Sequence, residues 1–194
     1  MTTRTPLTLA IVLAFSAASG GCAETQRQRQ ARDLQVLGAE ATPQRLRARG
    51  EAAAMAGDLT RAEQYFVAAL RAGGDERLLT ERLLIVCVTD GRFPAAASYA
   101  EDYLSKHPAD TDVRYAVATV YFALGNLDAS RAELDRVLRA RPDMADAHYT
   151  LATVLRKLGD SSVEADRHLR EYIRLEPNGA YAEAAKDLLL KGDR

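Results

Sequence analysis

Metal ligation and nucleophilic catalysis draw first on histidine and cysteine, and this chain of 194 residues has three histidines and two cysteines. His107, His148 and His168 stand 41 and 20 residues apart. No His-x-x-x-His pair therefore sets two imidazoles on one helical face, and neither cysteine joins them at the spacing of a zinc knuckle. His107 precedes a helix-ending proline, His148 is expected as a packed or hydrogen-bonded core residue, and His168, beside Leu169, is expected in solvent. The carboxylates alternate with arginine at helical spacings in "AELDRVLRARPD" and "EADRHLREY", the pattern of solvated, charge-paired helix faces. No phosphate loop, dinucleotide fingerprint or Gly-x-Ser-x-Gly elbow is present. The expectation is a protein with no catalytic residue, no metal and no small-molecule substrate. A net charge of -1 with interspersed signs gives no basic face for phosphates, so nucleic acid is not expected as a partner either.

One cysteine has a different chemistry in view. Arg4 supplies a positive start, "LTLAIVLAF" from Leu7 to Phe15 is apolar, and the small residues of "SAASGG" lead into Cys22. This is the grammar of a secretory signal, and its apolar run falls well short of the roughly 20 residues that span a bilayer core. "SGGC" resembles the bacterial lipobox, in which the cysteine is lipidated and becomes the first mature residue. In that family Leu usually stands where Ser19 stands here. The resemblance implies a covalent lipid on Cys22, with residues 1–21 as leader; the alternative is an ordinary cleaved signal with Cys22 a bystander. Ala23 after the cysteine, in place of Asp, implies the outer membrane. Residues 22–42, rich in Gln and Arg, read as a polar linker too poor in apolar residues to fold alone. With Cys22 lipidated, Cys87 has no disulfide partner and reads as a small buried hydrophobe.

The elements that would position any binding side chain are set by an internal period. Gly57, Gly91, Gly125 and Gly159 are spaced 34 residues apart. Five positions on stand Ala62, Ala96 and Ser130, with Ala165 one further, small residues suited to a close helix crossing. Phe66, Ala100, Leu134 and Leu169, then Leu70, Leu104, Leu138 and Ile173, fall on one helical face and read as core. Gly50, Leu84, Ala118 and Ala152 sit seven residues before each turn glycine. Pro108, Pro142 and Pro177 close three units, and Gly73 with Gly74 closes the first. Each unit is thus a helix of about 13 residues, a tight turn and an antiparallel partner.

This period with its Gly, Ala and Pro positions resembles the tetratricopeptide repeat family over residues 43–177. The chain departs from it in lacking a large aromatic early in each first helix, where Leu46, Thr80, Arg114 and His148 stand. The resemblance implies an all-α fold: a right-handed superhelical solenoid of about four helix-turn-helix units, near 43–76, 77–110, 111–144 and 145–178. A capping helix and tail, 179–194, would follow, with Tyr181, Ala185, Leu188 and Leu189 on one side to cover the last repeat.

In such solenoids the first helices line a concave groove. Their inward positions here are Arg47, Glu51 and Ala54; Glu81, Ile85 and Val88; Tyr115, Thr119 and Phe122; Tyr149, Thr153 and Arg156. The middle of the groove is therefore apolar and aromatic, suited to an extended or helical protein segment, with Arg156 placed to hold a carboxylate. The Asn and Lys clamp by which one subgroup grips chaperone C-termini is absent: Glu51, Ile85, Thr119 and Thr153 occupy the key positions. The layout resembles lipoproteins that assist assembly of type IV or tight-adherence pili and their secretins. The expected role is a non-enzymatic scaffold, lipid-anchored in the outer membrane and facing the periplasm, that binds a protein such as a secretin or pilus-assembly subunit. Two alternatives stand beside it: an adaptor for envelope proteases or cell-wall hydrolases, and a periplasmic chaperone presenting segments for cofactor attachment.

Overall fold

Helix starts are written in the short polar residues of the turns. Asp58 accepts from the Arg61 amide at 3.0 Å, Asp75 from Leu78 at 2.9 Å, Asp110 from Val113 at 3.1 Å and Asn126 from Ala129 at 3.4 Å. Each satisfies an amide the first turn leaves free. The computed structural model describes residues 42–159 and 162–192, and all its regular structure there is helical. The elements are α1 (Pro43–Met55), α2 (Leu59–Arg71), α3 (Glu76–Thr89), α4 (Phe93–Lys106), α5 (Thr111–Ala123), α6 (Leu127–Ala140), α7 (Ala145–Leu158), α8 (Ser162–Leu175) and α9 (Ala182–Gly192). The expected leader, Cys22 and the linker up to Ala41 lie outside the described residues.

Helix ends follow the same logic. Gly57, Gly91, Gly125 and Gly159 all take a positive φ, between 71 and 81°. At Gly125 the φ of 75° lets its amide reach the Phe122 carbonyl and that of Asn126 reach Tyr121, so two carbonyls that end α5 are satisfied within the turn. Where proline follows, the preceding residue is forced out of the helical region. His107 takes φ -123°, ψ 61° and Arg141 takes φ -136°, ψ 81°.

Each helix packs on the next from α1 to α9, giving four helical hairpins and a final helix. This is the all-α solenoid that the period implied. Its core runs along the stack: Phe66, Leu79 and Leu83 at the first hairpins, Leu134, Leu151, Leu155 and Leu169 at the last. Small residues mark the crossings. Gly50 lies on α1 so close to Phe66 that a β-carbon there would sit 2.5 Å from the ring. Ser130 is fully buried and donates to the Ala118 carbonyl at 2.8 Å.

His168 departs from expectation. It is buried, 8 % exposed, because α8 turns it toward His148 instead of solvent, and the two Nδ1 atoms lie 2.8 Å apart. Cys87 is buried as expected, and burial, then the Glu63 carboxylate, pushes its thiol up to about 11. Glu63 is the hub of that corner. It accepts from Tyr99 at 2.8 Å and pairs with Arg92, so one carboxylate on α2 ties down the turn before α4.

Candidate partner-binding groove

From the second hairpin on, the first helices touch one another more than the second helices do, α3 against α5 and α5 against α7. That places α3, α5 and α7 on the inside of the curve, the side toward which the twelve inward positions are expected to face. What those side chains have left to offer differs from one end to the other.

At the α1–α3 end the apolar side chains are free. Ile85 is 55 % exposed and Val88 40 %, while Met55, which ends α1, is 89 % exposed. Ile85 and Met55 border a cleft of about 370 Å³ with Ala54, Phe66, Val86, Glu51 and Arg82. Its polar wall is Glu51 and Arg82, 3.7 Å apart, with Arg47 3.6 Å from the same carboxylate; nearby on α3, Glu81 lies 3.5 Å from Arg77. Two guanidinium groups thus share the one carboxylate of Glu51.

At the α5–α7 end the side chains are largely engaged. Tyr115, Phe122 and Tyr149 are half-buried against the second core cluster. The Tyr115 hydroxyl shares a 3.2 Å hydrogen bond with Thr150, and burial holds its phenol above the usual range. Thr119 donates to the Ala116 carbonyl at 2.7 Å and Thr153 to that of Tyr149 at 3.0 Å, so both hydroxyls serve their own helix. The Lys157 ammonium stands 5.5 Å from the centre of the Phe122 ring. Arg156 donates to Asp166 at 2.6 Å, so the carboxylate it holds is one from α8.

Two residues outside the offset pattern complete this face. Met55 lies two positions before its turn glycine, off the inward register, and only its apolar character in a turn flank hints at a role. Tyr181, expected on the side of the cap that covers the last repeat, stacks flat on Tyr149 of that repeat at 4.4 Å and remains 44 % exposed. Its amide donates to the Tyr172 hydroxyl at 2.8 Å, which fixes the ring over the end of the groove. Among the described residues no group of three or more His, Cys, Asp or Glu could hold a metal ion, and no helix is long and apolar enough to cross a membrane.

Stacked helical hairpins with a groove on their first helices define a helical-repeat protein. The tetratricopeptide-repeat family model matches residues 88–154. The tetratricopeptide repeat and J domain-containing co-chaperone DNJ1 of Cryptococcus neoformans is 29% identical over 106 residues, 55% of this chain and 20% of that protein. The chain thus spans about a fifth of that relative's length. Among solved structures, YrrB, described as a tetratricopeptide-repeat protein with an unusual peptide-binding site, superposes with a TM-score of 0.67 at 22% identity, over 86% of both chains. The MamA protein superposes with a TM-score of 0.70 at 18% identity, over 80% of this chain and 84% of its own. These likenesses show its fold to be that of the tetratricopeptide repeat.

Proposed function

We propose that the chain is a non-enzymatic scaffold that holds a protein segment on the first-helix face, with the free end of the groove, around α1 and α3, as the principal contact. The carrying observation is that Met55 and Ile85 stand exposed at the rim of a cleft with an apolar floor, with Val88 one turn further on. Clustered exposed apolar side chains with a polar rim mark interaction sites in soluble proteins. The peptide-binding site named for YrrB supports a peptide-like ligand on a solenoid of this kind. The aromatic end, Tyr115, Phe122 and Tyr149, then contributes shape and hydroxyls more than free apolar area.

The finer assignment rests on the sequence. We read residues 1–21 as a leader, Cys22 as the lipidated residue and the protein as an outer-membrane lipoprotein facing the periplasm. In that setting the groove serves assembly of a pilus or secretion system, with a secretin or pilus subunit as partner. Capture from detergent-solubilised envelopes tests both levels, with wild type compared against Met55→Asp/Ile85→Asp. Recovery of a secretin or pilus subunit by wild type alone bears out both. Recovery of only proteases or cell-wall hydrolases refutes the assembly role, and equal recovery by the variant refutes the groove. Cys22→Ala is expected to leave the membrane fraction; a variant that still sediments with membranes refutes the anchor.

A further inference from the structure

His148 and His168 lie outside the groove's contacts and form a buried pair whose protons can be placed by elimination. His148 Nε2 is 2.9 Å from the Pro142 carbonyl, which can only accept, so that nitrogen carries a hydrogen. The neutral ring then has a bare Nδ1, and the single hydrogen that fits in the 2.8 Å gap belongs to His168 Nδ1. His168 Nε2 is left bare and faces the Arg167 guanidinium at 3.4 Å. The pair is filled by one hydrogen, and any proton that arrives must go to His168 Nε2, against a cation. A cleft of about 280 Å³ lined by Pro142, His148, Arg167, His168 and Glu171 gives it a path.

The charges that act on His168 come from α7 and α8: His148 and Arg167 oppose its protonation and Glu171 favours it. Glu171 is itself bound by Arg174 at 2.6 and 2.9 Å, so little of its charge is left for the imidazole. Burial first, then those charges, push His168 down to about 4. The helices that the pair joins are also those that seat the cap. Tyr149 follows His148 on α7, Tyr172 lies one turn beyond His168 on α8, and Tyr181 is clasped between them, stacked on one and hydrogen-bonded to the other.

We propose that His148 and His168 form a proton-operated latch between α7 and α8, which at neutral pH holds Tyr181 over the C-terminal end of the groove and releases it on proton uptake. The released state takes up a proton at an ordinary imidazole, which the latched state resists. Release is therefore favoured progressively as pH falls below about 6.5, and the gain is complete near the folded value of about 4. The latched-to-released ratio changes on the order of 100-fold across that window.

The test uses the full chain. Near-UV circular dichroism of the tyrosines is followed from pH 7.5 to 4 in wild type and in His168→Gln, with far-UV helicity as a check and histidine NMR titration alongside. The expected result is loss of the tyrosine signal in wild type with helicity retained, no such loss in His168→Gln, and a His168 midpoint well below the ordinary imidazole value of about 6.5. A wild-type signal that is flat with pH, or that falls equally in His168→Gln, overturns the proposal. Should His168→Gln not fold, wild type alone decides: a tyrosine signal lost with the same midpoint as His168 protonation, helicity retained, upholds the latch, and an ordinary His168 midpoint or a signal that does not follow it overturns it.

Discussion

Truncating Ile85 and Tyr149 separately measures which groove residues are free for a partner and which are spent on the fold. Ile85 keeps about half its surface in water, so Ile85→Ala gives up on the order of 1 kcal/mol of existing burial and recovers a few tenths through alanine's helix propensity. The net cost to stability is expected within about 0.5 to 1 kcal/mol. Tyr149 is half-buried, stacked on Tyr181 at 4.4 Å and in tilted contact with Tyr172 at 5.4 Å. Removing roughly 100 Å² of packed ring at about 25 cal/mol/Å² costs about 2.5 kcal/mol, and the stacking adds about 1 kcal/mol. Urea unfolding of the full chain, followed by far-UV circular dichroism, reads the difference as midpoints. With a slope of about 2 kcal/mol/M, Tyr149→Ala moves the midpoint down by more than about 1 M and Ile85→Ala by less than about half that. Equal shifts would refute the division of the groove, because Ile85 would then contribute as much to the core as Tyr149 does.

Gly125→Ala meets no neighbouring atom within 4 Å, so its cost is purely that of φ 75°. The expected loss is about 1 kcal/mol, with Gly125→Asn less affected because asparagine tolerates that region; equal stability of Ala and Gly in urea unfolding would contradict it. Cys87, with its thiol raised to about 11, is expected to alkylate at least about 100-fold more slowly than an ordinary free thiol at pH 7. Mass spectrometry of iodoacetamide-treated Cys22→Ala, which leaves Cys87 as the sole thiol, checks this, and labelling at the ordinary rate would show the site to be open. Glu63→Gln weakens the charge-assisted bond to Arg92 and is expected to cost about 1 to 3 kcal/mol in the same urea assay, whereas no loss would show that the Arg92 and Tyr99 contacts contribute nothing.

The fold was legible because its determinants are local and repeat. A turn glycine, an Asp or Asn cap, a small crossing residue and a closing proline recur at one period, and each acts within a few residues of itself. The site was legible only as a set of directions. Periodicity places Tyr149 and Ile85 on one face, yet it carries no record of what comes back over that face from elsewhere in the chain. Tyr181 covers Tyr149 from 32 residues away, and Asp166 claims Arg156 from the following helix. His168 misled for a related reason. Arg167 before it and Arg170 two positions on suggest a solvated stretch, but its burial is decided by His148, where a large aromatic would have stood in the family pattern and a second imidazole now fills the space.

A solenoid transmits stability between neighbours, so the two ends of this groove are separable in energy. The free apolar patch rests on α1 to α3, the clasped aromatic end on α7 to α9, and only the shared hairpins between them connect the two. A partner that anchors on Met55, Ile85 and Val88 would not feel the state of the histidine pair unless its chain runs on as far as Tyr149. Perturbing His168 therefore sorts partners by reach. A short segment binds wild type and His168→Gln alike at pH 5.5, whereas one that extends the length of the groove gains on wild type as Tyr181 is released. Isothermal titration of a captured partner's fragments at pH 7.5 and 5.5 separates these cases. A short fragment with pH-dependent binding that His168→Gln abolishes would show that the two ends are coupled, against the nearest-neighbour logic of the stack.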